Sequence, residues 1–199
     1  LLSILSCWLL SAVSFGQTTF RITQDVASFD IAGGMVENSS GDLVFAGTNS
    51  NFIPFFGNIV KMNSAGTVQW AKAYTGGIAS SLTDIKAVSS GGYIVTGSSS
   101  NGGAILIRVD ENGNTLWSKR YQCPDFAGKP SNEYGNAVIE TSDGGFVVAG
   151  GVDYFWDGVS GSTVDTSSAL GFKVNSAGTL QWSRIFTVSV TNPDEHYFN

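Results

Sequence analysis

The stretch "RVDENGNTLWSKRY" (108–121) places aspartate and asparagine at alternating positions around a glycine, the spacing of a calcium-binding loop. Such a loop supplies oxygen ligands from positions 1, 3 and 5, with glycine at position 6 and a bidentate glutamate at position 12. Counted from Asp110, position 6 is Thr115 and position 12 is Tyr121. The stretch therefore lacks two of the residues that the calcium geometry requires.

Two other stretches fill the same slot, "KMNSAGTVQWAKAY" (61–74) and "KVNSAGTLQWSRIF" (173–186). Each copy starts with a basic residue, continues through Asn or Asp and a turn with Gly, and reaches Trp nine positions after the basic residue. In these two copies the turn reads Ser-Ala-Gly, so the alternating calcium ligands are not kept. A β-hairpin tolerates that change, because it needs only Gly in the turn and Asn or Asp beside it. The stretch is therefore predicted to be a hairpin that occurs three times.

A second element recurs as "SGDLVFAG" (40–47), "SGGYIVTG" (90–97) and "DGGFVVAG" (143–150). Internal repeats with a period near 50 residues are typical of arrays of small structural units. The closing glycines are predicted where the backbone turns or packs closely, and the recurring tryptophans are predicted to anchor the outer strand of each unit. These structural residues are Gly47, Gly97, Gly150, Trp70, Trp117 and Trp182.

Each unit is predicted to contain four short strands separated by turn residues. In the third unit these strands are 136–141, 145–150, 169–174 and 179–186. The residues at 104–107 and 146–149 are apolar at every position. In an antiparallel sheet with one face in water, every other residue would be polar. Both faces are therefore expected to be covered by neighbouring units, as in the blades of a β-propeller.

The predicted fold class is all-β, a partial β-propeller of about three four-stranded antiparallel blades plus the start of a fourth, in a fragment of a larger propeller. The blades are expected at 30–76, 77–128 and 129–192. Residues 193–199 read like the lead-in to the third unit and are expected to begin another blade. Residues 17–29 are predicted to be an N-terminal edge strand.

The motifs "SGGYIVTG…AILIRVDENGNTLWSKRY" and "SDGGFVVAGG…GFKVNSAGTLQW" resemble the β-propeller repeats of secreted bacterial proteins related to the SBBP-type repeat. The resemblance covers residues 30–199 and agrees across three copies. It implies a propeller fold at or outside the bacterial cell surface. It implies no established catalytic residues.

The composition excludes two classes of protein. With 42% apolar residues and only 13% charged residues, the chain of 199 residues is expected to be folded and not disordered. The net charge is −6 and the ten basic residues are scattered, so a nucleic-acid partner is not expected.

The first sixteen residues, "LLSILSCWLLSAVSFG", are uncharged and mostly apolar, and end in small residues before Gln17. They are predicted to be a secretory signal peptide whose N-terminal start is missing, with no membrane span after cleavage. A lipoprotein signal around Cys7 is the weaker alternative, because an apolar run follows that cysteine. The predicted location is secreted, extracellular or at the cell surface. Cleavage would leave Cys123 as the single cysteine, interpreted as an ordinary loop residue.

The one non-repeated feature is an insertion in the third unit, between Gly150 and Lys173. Its aromatic and acidic residues make it the candidate ligand-binding loop, with Tyr154, Trp156 and Asp157 as the site residues. The preferred interpretation is that this long loop folds its aromatic residues beneath itself.

Basic residues also recur, at the start of each hairpin stretch. These residues, Lys61, Arg108 and Lys173, could line a charged channel, and a solvated or strand-end role is the preferred interpretation.

Catalysis finds little support in the sequence. The single histidine, His196, stands near the end of the chain, and no serine–histidine–aspartate set, metal-ligand cluster or CxxC motif accompanies it. We therefore expect no catalytic residues, no metal and no cofactor. The preferred function is a non-enzymatic binding or scaffold module for an unknown protein or glycan. The alternatives are a propeller enzyme, quinoprotein-like or active on polysaccharides, with its active site in other blades, and a carbohydrate-binding propeller.

Overall fold

The computed structural model describes residues 30–49, 55–75, 79–123, 131–155 and 164–186. These residues form three antiparallel four-stranded sheets, and each sheet uses four consecutive strands in chain order. The first sheet contains β1 (Asp30–Glu37), β2 (Leu43–Asn49), β3 (Phe56–Met62) and β4 (Val68–Tyr74). The middle sheet contains β5 (Ser81–Ala87), β6 (Tyr93–Ser98), β7 (Ala104–Val109) and β8 (Thr115–Tyr121). The third sheet contains β9 (Ser131–Glu140), β10 (Phe146–Phe155), β11 (Val164–Val174) and β12 (Leu180–Phe186).

The expectation of an all-β protein built from four-stranded antiparallel units is confirmed. None of the described residues is helical. Within the same residues, no helix is long and apolar enough to span a bilayer. The predicted signal peptide (1–16), the predicted edge strand (17–29) and the start of a fourth blade (193–199) lie outside the described residues.

The strands of the third sheet are longer than the sequence pattern predicts. The second strand continues to Phe155 and the third begins at Val164, so the insertion lengthens two paired strands where a loop was expected. The first strand also begins early, at Ser131. The prediction placed the strand ends at the apolar core residues and missed these polar continuations, because backbone pairing does not require apolar side chains.

The 108–121 stretch is a hairpin, as predicted. The carboxylate of Asp110 accepts hydrogen bonds from the backbone N–H groups of Asn112 and Asn114, at 2.9 and 2.8 Å. These two bonds stabilise the turn. The side chains at the corresponding positions of the other two hairpins, Asn63 and Asn175, accept the same pair of bonds. Among the described residues, no group of three or more Asp, Glu, His or Cys side chains could hold a metal ion.

A β-bulge interrupts the first strand of every sheet at the corresponding place. In the middle sheet it falls between Leu82 and Asp84, opposite Gly97. A Cβ added at Gly97 would overlap the Ser81 carbonyl oxygen and stand 2.9 Å from the Leu82 Cα. Gly150 meets the Tyr134 carbonyl in the same way. The closing glycine therefore gives the backbone room to approach the bulged strand closely.

The core consists of two apolar layers, one on each side of the middle sheet. Along β7, Ile105 and Ile107 are buried against the first sheet, whereas Ala104 and Leu106 are buried against the third. Successive strand residues point to opposite faces, so a strand covered on both sides is apolar throughout. This arrangement explains the continuous apolar run at 104–107.

Candidate functional site

The first junction, between the first and middle sheets, depends on an aromatic pair of β4 and a hairpin glycine. The ring of Trp70 lies against Gly113, where an added Cβ would stand 2.8 Å from the ring atom Cζ3. The Trp70 indole N–H donates to the Glu111 carbonyl at 3.1 Å, and the Tyr74 hydroxyl donates to the Gly113 carbonyl at 2.9 Å. Gly113 also has φ of 75°, which favours glycine at that position.

The second junction, between the middle and third sheets, uses the corresponding residues. Trp117 lies against Gly178, and the Tyr121 hydroxyl donates to the Gly178 carbonyl at 2.8 Å. The rings of Trp117 and Tyr121 also contact Phe146 and Phe172, with centroid distances of 6.1 and 4.8 Å. The two junctions therefore share one geometry. Trp182 occupies the corresponding position of the third sheet and is 40% exposed.

The three recurring basic residues hold the first hairpin of their own sheet. Lys61 forms an ion pair with Asp42 at 3.3 Å, and Lys173 forms one with Asp143 at 2.6 Å. Arg108 is buried and donates to the carbonyls of Tyr93, Val109 and Gly91. These contacts fit the strand-end role and not the solvated role, since Lys61 and Arg108 are buried.

The carboxylate of Glu111, in the middle sheet, adds an electrostatic contact to the first sheet at the first junction. The carboxylate accepts hydrogen bonds from the Gly92 N–H at 2.7 Å and the Tyr93 hydroxyl at 2.9 Å, and lies 3.6 Å from the Lys61 ammonium. Burial alone would raise the pKa of Glu111, but the two hydrogen bonds and the Lys61 charge outweigh it and lower this pKa below its usual value.

Replacing Glu111 with glutamine is expected to reduce stability at neutral pH more than in acid. A carboxyl whose pKa is depressed by folding contributes stability above its unfolded pKa, near 4.3, and loses that contribution as the pH falls through the folded value. Because the side chain is half exposed, we expect a loss of only ~0.5–1 kcal/mol at pH 7. Urea unfolding of both proteins should show this difference shrink near pH 3. An equal difference at both pH values would contradict the assignment.

Among the described residues, the third sheet carries an extension that the other two sheets lack. We define the extension as residues 131–134, 151–155 and 164–168, the paired ends of β9, β10 and β11. Within it, Val152 pairs with Glu133 on one side and with Ser168 on the other. Directly paired residues of an antiparallel sheet point to the same face. Glu133 and Ser168 therefore lie on the face of Val148 and Phe172, toward the middle sheet.

This inner face of the extension holds a fully buried carboxylate. Glu133 accepts hydrogen bonds through Oε1 from the Ser131 hydroxyl at 2.6 Å and from the Cys123 N–H at 2.9 Å. Its Oε2 atom and the Ser168 hydroxyl are also buried, and within the described part of the chain neither has a hydrogen-bond partner. Burying a polar atom without a hydrogen-bond partner is costly, and most buried polar atoms in proteins have such a partner. The inner face of the extension therefore combines a buried carboxylate with a buried hydroxyl.

Cys123 lies beside this carboxylate. Burial raises the pKa of its thiol to about 11, and the negative charge of Glu133 and a hydrogen bond between the two side chains act in the same direction. Since the thiolate is the nucleophile, a thiol with such a pKa is unreactive at neutral pH. The structure therefore favours the interpretation of Cys123 as a structural residue.

Alkylation of Cys123 is expected to be about two orders of magnitude slower in the folded protein at pH 8 than in urea, because an unfolded thiol has a pKa near 8.5. The rate in the folded protein should rise steadily toward pH 11. Iodoacetamide labelling followed by peptide mass mapping measures Cys123 separately from Cys7. Rapid labelling of the folded protein at pH 8 would refute the raised pKa.

The outer face of the extension combines an aromatic ring with polar groups. The Tyr134 side chain lies across Gly151, where an added Cβ would stand 2.8 Å from the ring atom Cε2. The Ser167 hydroxyl donates to the Asp153 carboxylate at 2.7 Å, and this pair is exposed. Burial raises the pKa of Tyr134, and the Asp153 charge adds to the effect. Tyr134 and Asp153 therefore lie on one surface, where the charge of Asp153 acts on the Tyr134 hydroxyl.

The structure places one of the three candidate ligand-binding residues. Tyr154 lies near the end of β10, paired with Ser131 and Thr166, and its side chain is 5% exposed. It belongs to the inner face of the extension, where Cys123 and Glu133 raise its pKa in addition to burial. Trp156 and Asp157 lie outside the described residues.

Sequence reasoning missed Glu133, Tyr134 and Asp153 as residues of this region. For Glu133 and Tyr134, the available signal was three polar residues and a tyrosine at 131–134, ahead of the apolar run. It also missed Asp84, whose carboxylate accepts a bond from the Val138 N–H at 3.0 Å and so ties the middle sheet to the third. No local pattern identifies that contact, because it joins residues far apart in the chain.

In comparisons with known proteins, no family model matches this chain, and the search of curated proteins returns no significant match.

Proposed function

We propose that this protein is a secreted or cell-surface β-propeller repeat protein that acts as a non-enzymatic binding or scaffold module. The assignment as a propeller rests on the geometry that the two junctions share. In each, a tryptophan covers the hairpin glycine of the following sheet, and a tyrosine hydroxyl bonds to the carbonyl of that glycine. Repeated stacking of four-stranded antiparallel sheets through one geometry is typical of propeller blades. The SBBP-type resemblance supports the same reading.

The extension is the proposed binding surface. It is the part of the described chain in which one sheet departs from the other two, and binding residues are commonly carried by such additions to a rigid scaffold. Its strand pairing continues directly from the third sheet, which holds the side chains of its outer face in fixed positions.

Glycans are the ligand class that the outer face favours. Sugar rings stack on aromatic side chains through their apolar C–H faces, and their hydroxyl groups bond to carboxylates and hydroxyls. Tyr134 supplies the ring, and Asp153 and Ser167 supply the polar groups. A protein ligand is the other outcome of the test below.

The test is a glycan-array screen, with a parallel capture of surface proteins, using the full chain and the Asp153→Asn variant. We expect glycan binding that Asp153→Asn weakens at least tenfold, because a charge-assisted hydrogen bond is lost. Thr115→Ser, on the exposed edge of the middle sheet, serves as the control and should bind normally. Binding that is unchanged in Asp153→Asn would rule out the extension as the site.

The secreted location has a separate test. Export from a bacterial host is expected to yield a protein whose first residue is Gln17, because signal peptidase cuts after small residues at the −3 and −1 positions. Edman sequencing of the exported protein measures this directly. An exported chain that still begins at Leu1 would contradict the proposal.

A further inference from the structure

The outer strand of the third sheet, β12, is exposed along its whole length. In the first sheet, the corresponding strand has Tyr74 buried and Trp70 half-buried beneath the hairpin of the middle sheet. Trp182 and Phe186, which occupy the same two positions, are 40% and 59% exposed. Together with Ile139, 55% exposed on the same face, they form what we call the β12 surface.

The two junctions show what kind of structure covers a surface of this type. In each, the tryptophan ring lies on the glycine of a hairpin whose turn is closed by Asn or Asp. The first sheet carries the same hairpin at 63–67. Gly66 has φ of 79°, and the Asn63 side chain accepts the same backbone bonds. The first sheet therefore possesses the complementary half of a junction.

A polar pair at the second junction extends this complementarity. There the Ser89 N–H and hydroxyl both donate to the Glu140 carboxylate, each at 2.7 Å. The third sheet has Ser142 at the position of Ser89, and the first sheet has Glu37 at the position of Glu140. The middle sheet has Ala87 at that position, so this pairing distinguishes the first sheet as the better match for the third.

We propose that a second copy of this chain docks its first sheet onto the β12 surface. Trp182 covers Gly66 of the second copy, and Ser142 donates to its Glu37. The contact is head-to-tail, joining two different surfaces, so it builds a continuous stack of sheets that ends when the ring closes. The inference does not rest on the glycan ligand. It uses Trp182, Phe186 and Ile139, none of which belongs to the extension.

One substitution makes this third junction weaker than the other two. Phe186 stands where Tyr74 and Tyr121 donate a hydroxyl to the hairpin carbonyl. Without that hydroxyl, the carbonyl of Gly66 receives no bond from this position. The association is therefore expected to be reversible, and restoring the hydroxyl should strengthen it.

Sedimentation velocity of the full chain over a wide concentration range tests the proposal, with the wild type compared to Phe186→Tyr and Trp182→Ala. We expect concentration-dependent association that Phe186→Tyr tightens about fivefold, the effect of one hydrogen bond. Trp182→Ala should weaken it at least tenfold. Because β12 is exposed, both variants should keep the circular dichroism spectrum and melting temperature of the wild type.

The Phe186→Tyr result separates specific docking from simple hydrophobic aggregation. Tyrosine is more polar than phenylalanine, so aggregation through the exposed ring would weaken on substitution, whereas the proposed junction strengthens. Association that weakens in Phe186→Tyr, or that is unchanged in Trp182→Ala, would overturn the proposal. A monomer whose Trp182 fluorescence responds to oligosaccharides would also overturn it, by assigning the surface to a glycan.

Discussion

Replacing Gly97 with alanine is expected to destabilise the protein by ~3 kcal/mol or more, or to prevent folding altogether. The new methyl group would overlap the Ser81 carbonyl oxygen and approach the Leu82 Cα to 2.9 Å. Both obstacles are backbone atoms in the bulged strand, so rotating a side chain cannot relieve the overlap. The strands would have to separate and lose hydrogen bonds at the centre of the middle sheet. Urea unfolding followed by circular dichroism measures the loss.

Gly171→Ala is the matched control for this prediction. Gly171 also lies within a strand, but a Cβ there would make only ordinary contact, 3.5 Å from the Phe186 ring. Its substitution should change the free energy of unfolding by less than ~1 kcal/mol, and a slight gain is expected from the reduced entropy of the unfolded chain. Equal effects of the two substitutions would show that the close approach at Gly97 does not exist.

Replacing Arg108 with methionine is expected to cost ~2–4 kcal/mol of stability. The guanidinium is buried and donates to the Tyr93 carbonyl at 3.2 Å, the Val109 carbonyl at 2.6 Å and the Gly91 carbonyl. Methionine fills much of the volume but leaves these acceptors without a donor in a region from which water is excluded. Thermal and urea unfolding of the variant should both report the loss.

Lys173→Met is the control that tests whether the stability lost in Arg108→Met comes from the buried hydrogen bonds. Lys173 occupies the corresponding position of the third sheet, but its ion pair with Asp143 is at the surface. Exposed ion pairs contribute little, so the expected loss is below ~1 kcal/mol. A Lys173→Met protein as unstable as Arg108→Met would contradict the role given to the buried carbonyl contacts.

The sequence was sufficient to predict the strand architecture, because the relevant constraints are local. A turn with glycine after Asn63, Asp110 or Asn175 can be recognised from adjacent residues, and so can a strand that is apolar at every position. The burial of Ile105 and Leu106 on opposite faces follows directly from that apolar run. Hairpins and meanders join neighbours in the chain, which explains why their order was correct.

The candidate site could not be predicted to the same depth, because its contacts join distant residues. The Cys123 N–H reaches Glu133 across the gap between β8 and β9, and Asp84 reaches Val138 in another sheet. The length of the extension was also underestimated, since the polar residues of β10 and β11 pair through their backbone alone. Tyr154 was chosen as an aromatic residue of the insertion, and the structure buries its side chain.

At both junctions, a tryptophan ring lies on the hairpin glycine of the next sheet. Nuclear magnetic resonance detects this contact, because an aromatic ring shifts the signals of protons above its face. We expect upfield-shifted Hα signals for Gly113 and Gly178, with nuclear Overhauser contacts to the rings of Trp70 and Trp117 respectively. Trp70→Leu should return Gly113 to an ordinary chemical shift and leave Gly178 unchanged. Ordinary Hα shifts for both glycines in the folded wild-type protein, without contacts to either ring, would show that the sheets do not join in this way.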